Sequence, residues 1–367
     1  MKRPIMLQVL YGGLGGHGSV AFSLIQGDQH ERMEHSLLFF GIEEARPEYA
    51  QQCQELGVPY KSIVKQAGLD LVSWRRVWQE LERIKPDVIV LHSMSLVPVA
   101  LAYERLSSSR ILYVDHQSNA LKRPKEWVMT TMASLLGRRL VVLTDVFSDE
   151  LSAKLGPLFR REKAFVINNG IDVDRYSPGD GFRGRSQITI SMQSRFNDTK
   201  DHATLVRAFA NLVELHPERH LKLVLAGDGA TRTSVRELVD ELSLTSLVEM
   251  PGMLSERELI ECLRSTDIYV HSSLGETMST AVMQAMSAGL AVIGTDVSGI
   301  SNMVEPNVTG ALFPAKDVGR LTALLDTWVG NPDSRLRMGV RAREVALERF
   351  SHVSMFERYA SLCPSPE

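Results

Sequence analysis

Cysteine is scarce: Cys53, Cys262 and Cys363 are the three in 367 residues. Their scatter excludes a disulfide framework and a clustered zinc site, and it fits a reduced, cytoplasmic setting. No run of about 18 apolar residues occurs, so no membrane-spanning helix is expected. Lys2, Arg3 and Pro4 lead straight into the apolar stretch Ile5 to Tyr11, without the h-region and cleavage site of a signal peptide. The expected protein is soluble or rests at the inner face of a membrane. The formal net charge is only -3, which gives no electrostatic case for nucleic acid as a partner. Short-period repeats and low-complexity tracts are missing as well.

What the chain does have is alternation. Strand-like runs at Ile5 to Tyr11, His35 to Phe40, Val88 to Leu91, Ile111 to Val114, Leu140 to Leu143 and Ala164 to Ile167 are separated by helical stretches. A second series follows at Ile188 to Met192, Lys222 to Ala226, Val248 to Met250, Ile268 to His271, Ala291 to Gly294 and Ala311 to Phe313. Strands alternating with helices argue for parallel sheets, here two of them in an α/β fold of two Rossmann-like, doubly wound halves. The turn-rich segment Tyr176 to Arg185 places the boundary near residue 178, giving domains 1–178 and 179–350 with a substrate cleft expected between them. Pro332 to Tyr359 reads as two helices broken near Ser351, after which residues 351–367 form a tail.

The most informative stretch runs from Gly275 to Ile293. Glu276 sits on a strand-to-helix loop, and Gln284 follows eight residues later in an apolar helix that ends at Gly289. At about 100° per residue, Gln284 returns to within roughly 80° of the helix-entry side and about 12 Å further along. An acid and an amide so placed can hold two ends of one nucleotide, with the amides of Thr277 to Thr280 and the helix dipole forming an anion site between them. Arg195 and Lys200 lie on the polar loop Ser194 to Asp201, which follows another strand. Open α/β sheets bind ligands at that carboxyl edge.

These segments resemble the retaining glycosyltransferases of family 4, a family of two-Rossmann (GT-B) enzymes that transfer sugars from nucleotide diphospho-sugars. The resemblance implies that Arg195 and Lys200 hold the diphosphate, and that Glu276 holds the sugar and Gln284 the ribose. It adds Met253, Met278, Ser279 and Thr280 to the donor site, and His116, after Asp115, as the residue reaching the donor sugar. Gly15 and Gly16 correspond to the first glycine loop, Asn169 to Asp172 to an Asn-Gly-Val-Asp turn, Gly227 to Gly229 to a Gly-Asp-Gly turn, and Val308 to Gly310 to the turn before the last strand. In the family the chain's last helices return to the first domain.

Three positions depart from the pattern. Gln284 replaces a second Glu, Ser279 a small Gly, and Asn302 the Glu of a Gly-Gly-x-x-Glu turn. Gln still reaches a ribose hydroxyl but carries no charge, so its contact is expected to be weaker where a carboxylate would bridge two hydroxyls.

The remaining residues fill out the expectation. The loop Gly12 to Gly18 follows a strand and opens a helix, so its amides can approach a donor or acceptor phosphate, although its spacing is not that of a dinucleotide fingerprint. His92 ends a strand in surroundings like those of His116 and is a candidate on the acceptor side. Asp172 and Asp174 match an Asp-x-Asp metal motif only superficially, and two cations with helix amides can replace a metal at the diphosphate. No essential metal and no permanently bound cofactor are therefore expected. Lys122 to Arg139 is basic and partly amphipathic, reading either as a helix covering the sheet or as an interfacial helix at an anionic membrane.

The function expected is a retaining transfer of a hexosyl group from a UDP- or GDP-sugar to an acceptor hydroxyl on a glycan or lipid-linked acceptor, in surface polysaccharide or glycolipid biosynthesis. The rivals are a sugar-nucleotide epimerase or hydrolase of the same fold, and a noncatalytic GT-B partner subunit.

Overall fold

The computed structural model describes residues 3–13, 16–68, 70–179 and 186–363, with the side chains of Gly16 and His17 outside that description. The chain divides into two compact units, one made of residues 1–170 and 351–367 and the other of residues 171–350. Each is described by itself.

The first unit holds seven strands among the described residues: β1 (Ile5–Leu10), β2 (Glu34–Gly41), β3 (Tyr60–Val64), β4 (Val88–Leu91), β5 (Arg110–Asp115), β6 (Leu140–Val142) and β7 (Ala164–Val166). They form one parallel sheet in the order β3-β2-β1-β4-β5-β6-β7. Leu7, Val9, Ile89, Leu91, Ile111 and Tyr113 carry the core on one face, because strands covered on both sides read as continuous apolar runs. β3 escaped the sequence reading. It is an edge strand in which Lys61 and Ser62 separate Tyr60 from Ile63 and Val64, so it lacks an apolar run. The closing helix His352–Ser361 belongs to this unit. It packs against the end of the helix Gly16–Gln26, where a Cβ on Gly27 would lie 2.3 Å from the His352 carbonyl oxygen.

The second unit repeats the plan with β8 (Gln187–Gln193), β9 (His220–Ala226), β10 (Val248–Gly252), β11 (Ile268–His271), β12 (Val292–Thr295) and β13 (Gly310–Phe313). These six form a parallel sheet in the order β10-β9-β8-β11-β12-β13. Its core gathers Ile190, Met192, Leu223, Val270 and Ile293 under helices that include His202–Leu215 and Val318–Gly330.

In each sheet the strand order reverses once, between β1 and β4 in the first unit and between β8 and β11 in the second. The loops leaving the carboxyl ends of strands at such a switch point diverge, and the crevice between them is where open α/β sheets take ligands. The loops after β8 and β11 are the ones that carry Arg195, Lys200 and Glu276. No helix among the described residues is long and apolar enough to cross a membrane.

Candidate functional site

In the second unit the loops after β8 and β11 are fastened to each other by main-chain bonds. Lys200 and Ser273 pair as an isolated antiparallel bridge. The Leu274 amide donates to the Thr199 carbonyl at 2.8 Å and the Asp201 amide to the Ser272 carbonyl at 3.1 Å. Within the first loop, Asn197 Oδ1 accepts from the Thr199 and Lys200 amides at 3.2 and 3.1 Å. Ser273 Oγ donates to the Thr199 carbonyl at 3.2 Å, while its amide donates to Thr295 Oγ1 at 2.9 Å. This stapling sets the Lys200 ammonium directly against Glu276 Oε1, with the two side chains only 12% and 13% exposed.

Burial, then the neighbouring Arg195 guanidinium, pull Lys200 down to about 7. The Glu276 carboxylate touching the ammonium acts in the opposite direction. Beneath them lies His271, fully buried at the end of β11, with Nε2 2.8 Å from Glu276 Oε1 and 3.2 Å from Ser279 Oγ. Burial and the charges of Lys200 and His202 push this imidazole well below its ordinary range, so it is neutral. A neutral His271 that donates from Nε2 to the carboxylate has its lone pair at Nδ1, where the Tyr269 hydroxyl lies at 3.4 Å. His271 was missed as a site residue when it was read as the last residue of a strand. Like His116 it is a polar residue at the end of an apolar strand, but His116 was singled out by the family resemblance and His271 was not.

The helix after Glu276 begins later than the sequence suggested. It spans Thr280–Ser287 with Ser279 as its N-cap, the Ser279 side chain accepting from the Val282 amide. Of the amides from Thr277 to Thr280, only that of Thr280 therefore belongs to the helix's first turn. Ser279 is both the cap and a partner of His271, and neither contact is open to the Gly of the family pattern. Met278 is buried.

Gln284 lies one turn into this helix, between two side chains that the sequence did not single out. Gln193 Nε2 donates to its Oε1 at 3.2 Å, and its own Nε2 donates to the Tyr176 hydroxyl at 2.9 Å. Burial, then the nearby Glu256 charge, push the Tyr176 phenol up to about 12. It keeps its proton and donates it towards Glu256 Oε1 at 3.4 Å.

Two glycines make the arrangement sterically feasible. Gly227 has φ +130, and a Cβ there would sit 1.9 Å from the Ser194 carbonyl oxygen, so the Gly-Asp-Gly turn lies flat against the start of the Arg195 loop. A Cβ on Gly299 would lie 2.2 Å from the Glu276 carbonyl carbon and 2.6 Å from the Thr277 nitrogen. The short helix Ser298–Ser301 thus presses on the peptide that orients Glu276. Asn302, at the family's Glu position, turns its amide back onto the Ser298 carbonyl.

Arg195 is exposed on its loop, and Met253 projects 65% exposed just after β10. Gly16 opens the helix Gly16–Gln26, whereas Gly15 lies outside the described residues. His116 belongs to the first unit, half-buried after β5, with its Nε2 2.7 Å from His92 Nδ1. Asp172 and Asp174 face arginines, Arg175 and Arg343. Among the described residues no group of three or more His, Cys, Asp or Glu could hold a metal ion. Lys122, read from the sequence as part of a basic stretch, is buried in an ion pair with Asp115 at 2.5 Å.

The chain is similar to known proteins along both units. Residues 179–345 match the family described as Glycosyl transferases group 1, and residues 14–175 match Glycosyltransferase Family 4. D-inositol 3-phosphate glycosyltransferase of Nocardia farcinica is 29% identical over 195 residues, a stretch covering 50% of this chain and 43% of that protein. The chain thus matches less than half the length of that relative. Among solved structures, Anabaena HepE in complex with UDP and glucose superposes with a TM-score of 0.81 at 17% identity, covering 98% of this chain and 99% of that one. A variant of S. aureus TarM in complex with fondaparinux, α-GlcNAc-glycerol and UDP gives a TM-score of 0.81 at 13% identity over 100% of both chains. At such identities the superpositions speak for the fold. Two parallel sheets with paired switch points, and two family matches that follow one another along the sequence, have one common reading: the chain belongs to the family 4 glycosyltransferases of GT-B architecture.

Proposed function

We propose that the chain is a retaining glycosyltransferase that moves a hexosyl or related residue from a UDP- or GDP-sugar to an acceptor hydroxyl, in the assembly of a surface polysaccharide or glycolipid on the cytoplasmic side of a membrane. The observation that carries this reading is the Lys200–Glu276 pair, held at a switch point beside a helix start and the exposed Arg195. A polyanion and a polyol are the ligands such a site suits: the cations and the first-turn amide of Thr280 meet phosphate oxygens, and the carboxylate meets sugar hydroxyls.

As the glycosidic bond breaks, negative charge gathers on the β-phosphate. Donors already aimed there lower the barrier by about 3 kcal/mol each. Lys200, at about 7 in the absence of ligand, becomes fully protonated as the diphosphate arrives and adds a second negative partner to Glu276. His271 keeps the carboxylate oriented from below. Gln284 takes a ribose hydroxyl with the amide hydrogen and lone pair not engaged by Tyr176 and Gln193. The acceptor hydroxyl attacks on the face the diphosphate leaves and passes its proton to a phosphate oxygen, so no protein base is required. Charge met by Lys200, Arg195 and the helix start also leads us to expect turnover to persist in excess EDTA.

The test joins calorimetry to product analysis. Titration with UDP, GDP and ADP should give one binder, and that nucleotide's sugar should yield a product whose anomeric proton coupling matches the donor's. Inversion at the anomeric carbon would overturn the retaining step. Binding without transfer to any hydroxyl acceptor would favour the noncatalytic partner subunit, and conversion of the sugar nucleotide without an acceptor the epimerase or hydrolase.

A further inference from the structure

Three arginines meet at the amino end of the first sheet, the edge opposite to the one that His92 and His116 follow. Arg110 opens β5, and Arg138 and Arg139 lie in the turn between the helix Pro124–Leu136 and β6. Together with Ser107, Ser108 and Glu104 they line a cavity of about 370 Å³, at the small end of the range for ligand pockets. Arg138 is exposed, whereas Arg110 and Arg139 are half-buried.

Positive charge there exceeds what is set against it. Among the described residues the one hydrogen bond from these guanidiniums runs from Arg110 Nη1 to the Leu362 carbonyl at 3.4 Å, and no carboxylate pairs with any of the three. The helices Val97–Leu106, Pro124–Leu136 and His352–Ser361 end beside the cavity, which accounts for cations at this place. Each helix end offers only about half a negative charge, however, against three whole positive ones. Glu104 is the one acid in the wall. Burial pushes its carboxyl above the usual range, against the pull of the Tyr113 hydroxyl that donates to Oε2 at 3.2 Å, and its Oε1 is buried without a partner. As an acid, Glu104 would carry its hydrogen on Oε1 and turn from a repelling group into a donor. Burial, then the neighbouring Arg110, hold Arg139 below its ordinary value, as expected where guanidiniums crowd together with too little negative charge between them.

We propose that this cavity binds a phosphomonoester, gripped by the guanidinium forks of Arg110, Arg138 and Arg139. A tetrahedral dianion with three free oxygens can take forks from more than one guanidinium, where a carboxylate with two oxygens takes fewer. The same chemistry is offered by a soluble phosphomonoester and by the headgroup of phosphatidic acid. Leu106 and Leu136, both exposed at the helix ends that flank the cavity, would meet the acyl chains in the second case. Arg195 and Lys200 belong to the other unit, so the proposal stands whether or not the transferase reading holds.

The experiment uses the full chain carrying Lys200→Ala, which weakens the phosphate contacts proposed for the donor site. It is labelled with ¹⁵N-arginine and titrated with glycerol 3-phosphate at constant ionic strength. The Nε–H signals of the three arginines, identified by their loss in Arg110→Lys, Arg138→Lys and Arg139→Lys, should move along one saturating curve. Arg139→Gln should weaken binding about tenfold, the lower end for a hydrogen bond to a charged group. Arg138→Glu, at an exposed position, should abolish binding with the circular dichroism spectrum unchanged. Shifts without saturation, equal shifts with sodium chloride, or saturation that survives Arg138→Glu would overturn the proposal. Vesicles decide the source. Sedimentation with phosphatidic acid in phosphatidylcholine, reversed by glycerol 3-phosphate and lost in Arg138→Glu, assigns a lipid headgroup. Saturable binding in solution with no sedimentation assigns a soluble phosphomonoester.

Discussion

Among the described residues each unit sets a lysine against a buried or nearly buried carboxylate, Lys122 against Asp115 and Lys200 against Glu276, and the two pairs differ in what surrounds them. Lys122 and Asp115 in the first unit are each 1% exposed in their side chains and saturated with partners. Lys122 also bonds Asn119 Oδ1 at 2.6 Å and lies 5.0 Å from the Trp127 ring centroid. Asp115 also accepts from Thr130 Oγ1 at 3.1 Å and from the Gln117 amide at 3.2 Å. Lys200 and Glu276 in the second unit sit at a loop edge with a second cation, Arg195, beside them. A pair whose hydrogen-bonding capacity is used up holds a loop in place, whereas a pair with a like-charged neighbour at the rim has reason to accept another anion.

The sharpest contrast should come from removing each lysine. Lys122→Met leaves the Asp115 carboxylate buried without its cation, and we expect a loss of about 3–5 kcal/mol in denaturant unfolding, with nucleotide affinity in the surviving folded protein unchanged. Lys200→Ala should do the reverse, lowering kcat by about 10²–10³-fold while the unfolding midpoint stays near wild type or rises. If the two variants showed the same balance of stability and turnover, the division between a structural and a functional pair would fail.

Next in size is Gly299→Val, whose side chain would drive into the Glu276–Thr277 peptide. Overpacking of this kind costs about 1–3 kcal/mol, and turnover should fall further than stability because Glu276 shifts with its peptide. Unfolding curves measured beside donor kinetics separate the two.

Acidity bears on the Lys200–Glu276 pair in a third way. The folded-state value of Lys200, about 7, lies below its ordinary 10.5, so between those values the unfolded chain binds more protons than the folded one. Stability contributed through this group therefore rises with pH from about 7 to 10.5 and is flat below about 7. Nucleoside diphosphate affinity should run the opposite way, weakening as pH rises through about 7, because the ligand selects the ammonium. Calorimetry from pH 6 to 9 should show that slope, and Lys200→Arg should flatten it. The smallest effect expected is that of Tyr176→Phe, which removes one acceptor from Gln284 and should change nucleotide affinity by about 0.5–1.5 kcal/mol.

Much of the fold was legible because most strands are covered on both faces and announce themselves as apolar runs; twelve of the thirteen strands among the described residues were read from the sequence, the edge strands β7 and β10 among them although neither holds a buried residue. The thirteenth, β3, is an edge strand in which Lys61 and Ser62 separate Tyr60 from Ile63 and Val64, so no apolar run is there to register. That Arg195, Lys200 and Glu276 come together was legible from their place after strands and from the family resemblance. The capping role of Ser279 was not, because a helix start depends on which side chain meets which amide. Nor were Tyr176 and Gln193, whose hold on Gln284 is made in space by residues 108 and 91 positions away.

The bridge between Lys200 and Ser273 bears finally on heat and time. Two unattached loops would lose backbone freedom on gripping a diphosphate, on the order of 1–2 kcal/mol for every residue stilled. Here that ordering is completed when the chain folds, so association should proceed without a slow isomerisation phase. The amides of Asp201 and Leu274, which are bonded across the two loops, should resist hydrogen exchange before any ligand is added.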